Sequence, residues 1–190
     1  IYSAIAQSEF KQQIPGYLET TGPSYPKTLD DLVRLANDPA TGYPDPHKAF
    51  AFKYTASIAM EADDPRFVTA HDQGMALIKA GVDAVMAKEK LDTIVTLSSP
   101  AAATPITPPA NPKPNNPRGL PYNIANLSGY PEIVVPAGMT PEGLPVTISF
   151  LGRAFSDGPL LGFAYDFEQA THALRLPRFT PALASDRVGR

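Results

Sequence analysis

The chain contains no cysteine, which excludes disulfides, thiolate metal sites and a cysteine nucleophile. It has only three histidines, His47, His71 and His172, each standing alone, so no clustered imidazole set is offered to a metal. Sixteen Lys and Arg against nineteen Asp and Glu give a net charge of −3, and the basic residues are scattered. That pattern supports neither a nucleic-acid nor an anionic-membrane partner, both of which need a concentrated basic face. No apolar run approaches the roughly 20 residues needed to span a bilayer. A phosphate loop, an EF-hand, an HExxH helix and a dinucleotide fingerprint are all missing. The lack of cysteine suits a reducing compartment, and a cytoplasmic location is the expectation.

Proline, by contrast, is plentiful. It fills 22 of 190 positions, about twice its usual share. Eight of these prolines lie between Pro100 and Pro121, where fixed φ and missing N–H groups rule out a helix or a central strand. That stretch reads as a surface loop or an extended polyproline run. The length suits one domain with a substantial core. The pattern "IYSAIAQSEFKQQI" begins inside a helix at Ile1, so the chain reads as a piece of something longer.

Local signals place the elements. The first helix is expected to stop before Pro15-Gly16. A second opens at "TLDDLVRLAN", with Thr28 as N-cap and Asp31 at the third helical position, and ends at Asp38-Pro39. Asp45-Pro46 and Asp64-Pro65 repeat the cap-then-proline device. The second of these opens the longest expected helix, about 66–90. There Val68, His71, Met75, Ile78, Val82 and Val85 share one face, and Gly74 and Gly81 are tolerated for close packing. "LDTIVTL" (91–97), "EIVVPAG" and "VTISFLG" read as short buried strands. A last helix is expected at about 159–174, capped by Ser156 or Asp157 and stopped by Pro177, with Leu160, Phe163, Phe167 and Leu174 as its stripe. The mainly helical part (1–90), the strand region (91–152), this helix and a tail (178–190) argue for an α/β layered fold.

Chemistry is sparse. Ser98 and Ser99 follow a strand, yet no base lies nearby in sequence to activate them, and no glycine elbow offers an oxyanion hole. Ser128 is likewise without a base. The adjacent acids Asp30-Asp31 and Asp63-Asp64 suit helix N-termini better than acid–base work. Tyr122 and Asn123 follow the proline-rich stretch and could line a pocket.

"NLSGYPEIVVPAGMTPEGLPVTISFLG" carries four glycines and four prolines among strand-like residues. Its spacing, N-x-x-G-x-P-x-x-x-x-P-x-G followed by G-L-P-V and F-x-G, resembles the C-terminal part of the amidase signature family. Asn126, Gly129, Pro131, Pro136 and Gly138 carry the first part, then Gly143, Leu144, Pro145, Val146, Phe150 and Gly152. Leu160, Leu161, Phe167 and Glu168 continue it, and "PRFTPAL" at Pro177–Leu183 resembles the ending of the stand-alone branch. "EFK" (Glu9–Lys11), Tyr17-Leu18, "TLDDL" and "LDTIV" resemble that branch as well.

The resemblance implies an α/β/α fold, a mixed sheet flanked by helices, and carboxamide hydrolysis by a serine nucleophile. A second serine in a cis peptide and a lysine relay the proton, with no cofactor and no metal. In the family this machinery lies upstream of the matching segment, so no catalytic residue is expected here. The partner implied is the N-terminal part of the same amidase, with a small-molecule amide as substrate. Leu97, Ser98 and Ser99, with Tyr122 and Asn123, are the substrate-pocket candidates. Gly129 and Gly138 are expected at close backbone approaches.

The chain departs from the family pattern at Leu97-Ser98, at Glu132 and at Thr147. Two other readings stay open. One is the amidase subunit of a glutamine-dependent tRNA amidotransferase. The other is a non-catalytic module whose Pro109-x-x-Pro112 spacing suits a proline-reading domain. A sheet cut from its neighbours would expose an apolar face and a strand edge, so self-association is expected of the isolated chain.

Overall fold

The computed structural model describes residues 1–98 and 124–176. Ser99, Tyr122, Asn123, the proline-rich stretch and the "PRFTPAL" ending lie outside the described residues. Contacts divide the chain into two compact units, Ile1–Gly81 and Val82–Arg190.

The first unit is helical. Helix α1 runs Tyr2–Glu19 and passes through Pro15 and Gly16, where the sequence predicts a stop. Proline inside a helix costs about 3 kcal/mol through a lost hydrogen bond and a clash with the preceding turn. Tertiary partners beyond the proline offset that cost. Leu18 is buried, and the Thr20 and Thr21 hydroxyls donate to the Tyr17 and Leu18 carbonyls at 2.7 and 2.6 Å. The Lys27 ammonium donates to the Leu18 and Thr21 carbonyls at 2.9 and 2.8 Å, placing a cation where the helix end is negative.

Helix α2 (Leu29–Asn37) has the expected capping box. The Asp31 amide donates to the Thr28 hydroxyl at 3.1 Å, and the Asp31 carboxylate accepts from the Thr28 amide at 3.2 Å. Helix α3 (Pro46–Ile58) has Asp45 accepting from the His47 and Lys48 amides. A polar seam joins α1 to α3 and the segment after it: fully buried Ser8 accepts from the Met60 amide at 2.9 Å, and the Thr55 hydroxyl donates to the Gln7 side chain.

The expected helix 66–90 is continuous but not uniform. Helix α4 (Pro65–Val68) passes into a π-helical segment, Thr69–Gly74, and then into α5 (Met75–Lys88). The wider turn breaks the 3.6-residue phase of the helix, so the expected stripe does not stay on one face. Val68 and Val85 are exposed, while Phe67, Gly74, Val82 and Met86 are the buried positions. A Cβ at Gly74 would meet Ile1 Cδ1 at 3.3 Å, so close packing explains that glycine. Gly81 faces open space and has no such reason.

The second unit is built on three strands: β1 (Ile94–Leu97), β2 (Glu132–Met139) and β3 (Pro145–Leu151). Their order is β1-β3-β2, with both pairings antiparallel. The α/β class holds, and the described part of the sheet contains only antiparallel neighbours. Directly opposed residues share a face. Val95, Leu97, Ile133, Val135, Ile148 and Phe150 therefore line one face, and α7 (Asp157–Thr171) packs there through Leu160, Ala164, Phe163 and Phe167. On the other face, Ile94 and Leu151 pack against Val82, Met86, Tyr130, Leu91 and the short helix α6 (Ile124–Ser128).

Helix α7 ends earlier than the sequence suggests. His172 takes the left-handed conformation at φ 47°, its amide donating to the Glu168 carbonyl at 2.8 Å. Leu174 then lies beyond the helix and is exposed. Ser156 holds the N-cap position without a side-chain cap bond, because its hydroxyl donates to the Arg153 carbonyl at 2.7 Å instead.

Candidate functional site

Strand alternation sorts the pocket candidates. Leu97 and Ser98 are adjacent, so their side chains leave the sheet on opposite faces. Leu97 opposes Ile148 on the α7 side and is 51% exposed. Ser98 continues β1 on the other face, its amide donating to the Thr147 carbonyl at 3.3 Å. The Ser98 hydroxyl is hydrogen-bonded to the Thr147 hydroxyl, and two residues back the Thr96 and Ser149 hydroxyls are 2.9 Å apart. Four hydroxyls thus form a row across β1 and β3. The structure separates Leu97 from Ser98 and joins Ser98 to Thr147.

No described serine hydroxyl is paired with a lysine, a histidine or a carboxylate. Ser98 pairs with a threonine, as does Ser149. Ser128 donates to the Ile124 carbonyl at 2.7 Å and accepts from the Tyr130 amide at 3.2 Å, which closes α6. Neutral hydroxyl and carbonyl partners do not remove a proton from serine at neutral pH.

The glycines and prolines of the motif set backbone shape. Gly129 has φ 69° and its amide donates to the Ala125 carbonyl at 2.8 Å, turning the chain from α6 into β2. Asn126 lies exposed on α6. Pro131 accepts from the Gly152 amide at 3.0 Å. A bulge lies between Pro136 and Gly138, where φ reaches 140°. Gly143 at φ 80° closes the hairpin that ends at Pro145, its amide donating to the Thr140 carbonyl at 2.9 Å. The expected close approach is absent at both Gly129 and Gly138: a Cβ would meet nothing within 4 Å at the first and only Val146 Cγ2 at 3.9 Å at the second. These two glycines supply φ, not space. The tight position is Gly152, where a Cβ would lie 2.9 Å from Leu160 Cδ1 and would overlap the Ser156 hydroxyl.

Sequence reasoning passed over two features. The Tyr130 hydroxyl donates to the Asp83 carboxylate at 2.6 Å, tying α5 to the entry of β2. That bond, together with burial, raises the Tyr130 pKa above its ordinary value. Nothing local in the sequence pairs residues this far apart. The other is the turn Gly152–Ser156. Beside it a shallow cleft of about 220 Å³ is lined by Pro131, Glu132, Ile133, Asp157, Leu160 and Leu161. Among the described residues, no three His, Asp or Glu side chains are grouped to hold a metal ion.

The amidase family model matches residues 1–161. The chain belongs to the amidase family. A probable amidase from Arabidopsis thaliana is 27% identical over 175 residues, which is 90% of this chain and 30% of that protein. The native peptide amidase from Stenotrophomonas maltophilia superposes with a TM-score of 0.73 at 27% identity, covering 94% of this chain and 35% of its own. A subunit of the glutamyl-tRNA(Gln) amidotransferase from Syntrophobacter fumaroxidans is 50% identical over 54 residues, 28% of this chain and 11% of that protein. This amidase-family chain therefore spans about a third of the length of the Arabidopsis and Stenotrophomonas proteins. The helices and the three-stranded sheet described above are this chain's share of an amidase fold.

Proposed function

We propose that this chain is the C-terminal portion of an amide hydrolase. Its parent cleaves carboxamides with a serine nucleophile, assisted by a second serine and a lysine that lie upstream. One observation carries the reading: the fold follows a peptide amidase over 94% of this chain yet covers 35% of that enzyme, and no described serine here has a base. The partner of this chain is then the N-terminal part of the same amidase, and the substrate is a small carboxamide. Ser98, on the hydroxyl-bearing face beside Thr147, is the pocket candidate the geometry favours over Leu97.

The amidotransferase reading draws on the 50% identity over 54 residues. It ranks second, because the likeness to the Arabidopsis protein extends over 90% of this chain. Labelling the 190-residue chain with a serine-reactive fluorophosphonate, followed by intact mass, tests the first reading. No adduct is expected. An adduct mapping to Ser98 or Ser99 would place the nucleophile in this segment and overturn it.

A further inference from the structure

Strand β1 is paired on one side alone among the described residues. A single bond fixes which of its groups face the open side. The Ser98 amide donates to the Thr147 carbonyl, so Ser98 turns its main chain towards β3. Antiparallel alternation gives Thr96 and Ile94 the same direction and sends the N–H and C=O groups of Val95 and Leu97 the other way. The Val95 and Leu97 side chains are about half exposed and lie on the α7 face, beside Phe150 and Ile148. Such an edge is completed by a strand from elsewhere.

The edge is complementary to itself. When two β1 strands run antiparallel about a two-fold axis at Thr96, Val95 lies opposite Leu97 of the second copy, and Leu97 opposite Val95 of the second copy. Every outward N–H and C=O of both residues then has a partner within Ile94–Leu97. An axis at Val95 or Leu97 would pair that residue with its own copy and leave the other facing residues outside β1. An axis between two residues would set outward-facing groups against inward-facing ones.

Both faces of the sheet fit this register. On the α7 face, Ile133, Phe150 and Val95 form one apolar row, which continues into Leu97 and Ile148 of the second copy. On the other face, Ser149 is fully buried, and its hydroxyl bonds to Thr96 alone. A buried O–H without an acceptor is costly, so Ser149 donates and the half-buried Thr96 hydroxyl keeps a free proton. At the axis that proton meets the hydroxyl of Thr96 of the second copy. Residues 93–98 carry no charge, so the pairing sets no like charges against each other.

We propose that β1 is an interface between two copies of this chain, paired antiparallel about a two-fold axis at Thr96. The two sheets become one, in the order β2-β3-β1-β1-β3-β2, with Val95 and Leu97 of both copies clustered on the α7 face. The pairing draws on β1 and β3 and stands apart from the amide-hydrolase reading.

Hydrogen exchange followed by NMR tests it on the unaltered 190-residue chain. On concentrating the chain, the Val95 and Leu97 amides should exchange about tenfold more slowly, and Val95→Lys with Leu97→Lys should abolish the change. Exchange that stays fast at every concentration would overturn the proposal. Slow exchange already present in dilute, monomeric chain would mean that another segment of the same chain occupies the edge, and would overturn it equally.

The axis has its own test. The chain has no cysteine, so Thr96→Cys adds a lone thiol. Across the axis its Cα lies about 4.5 Å from its mate, within disulfide range. With oxidised glutathione, Thr96→Cys should form a disulfide dimer several-fold faster than Val95→Cys, Leu97→Cys or Leu161→Cys on the exposed side of α7. A mixture of the Val95→Cys and Leu97→Cys chains should favour the heterodimer. Faster dimers of Val95→Cys or Leu97→Cys alone, or a Thr96→Cys rate no higher than that of Leu161→Cys, would overturn the axis.

Discussion

Three glycines of similar appearance in the sequence have three different physical roles, and substitution by alanine separates them. At Gly152 a Cβ would sit 2.9 Å from Leu160 Cδ1, so Gly152→Ala overpacks the α7 junction and should cost about 1–3 kcal/mol. At Gly129 there is room, but φ is 69°, and alanine there should cost about 1–2 kcal/mol through the left-handed backbone alone. At Gly81, helical and facing open space, alanine should stabilise by about 1 kcal/mol. Urea midpoints for the three variants check both the order and the change of sign. Tyr130 makes a different prediction. Its folded pKa is raised by the bond to Asp83 and by burial, so the neutral phenol contributes stability below the ordinary tyrosine pKa of about 10, and that contribution is lost as pH rises through the folded value. Tyr130→Phe should be less stable than wild type at pH 7, and the gap should close on the alkaline limb. A gap that persists unchanged along the whole alkaline limb would show that the hydroxyl does not couple to Asp83.

At the scale of elements, three helix starts and the end of α2 at Asp38 were legible, and the ends of α1 and α7 were not. Thr28-x-x-Asp31, Asp45-Pro46 and Asp64-Pro65 each put an acceptor beside helix amides, and each cap forms as read, because capping is settled within four residues. Asp45→Ala should therefore lower stability by about 1 kcal/mol in thermal melts. Asp64 also holds Arg66, and the guanidinium with the backbone amide lowers its pKa from 3.8 to about 2. The sign is that of a depressed acid: its contribution is complete above the unfolded pKa and fades as pH falls from about 4 towards 2. Wild type should lose more stability across that window than Asp64→Asn, and equal losses would show that the carboxylate is not engaged in solution. What the sequence hid was decided at a distance. Helix α1 crosses Pro15 because Lys27 and two threonines hold its far end, and the π segment breaks a stripe that looked regular. The hydroxyl pairs along β1 and β3 join residues 49 and 53 apart. For the candidate site, alternation along β1 separates Leu97 from Ser98 and was readable, but the partner of Ser98 was not.

At the scale of the whole molecule, the second unit exposes a strand edge of the kind that stable sheets hide. Strand β1 pairs on one side with β3, and among the described residues no strand pairs with its other side. Its outward-facing ladder groups are joined by Val95 and Leu97, 52% and 51% exposed beside Ile148 and Phe150. An unpaired edge with apolar residues and no Lys or Pro to blunt it is a template for another strand. Edge-to-edge pairing of two copies is the arrangement that satisfies these groups when nothing else covers them. Sedimentation velocity of the 190-residue chain over a hundredfold concentration range should therefore show reversible association, and Val95→Lys with Leu97→Lys should return it to monomer. A wild-type chain that stays monomeric throughout would mean that this edge is already protected, and the reading of an uncovered sheet would fall with it.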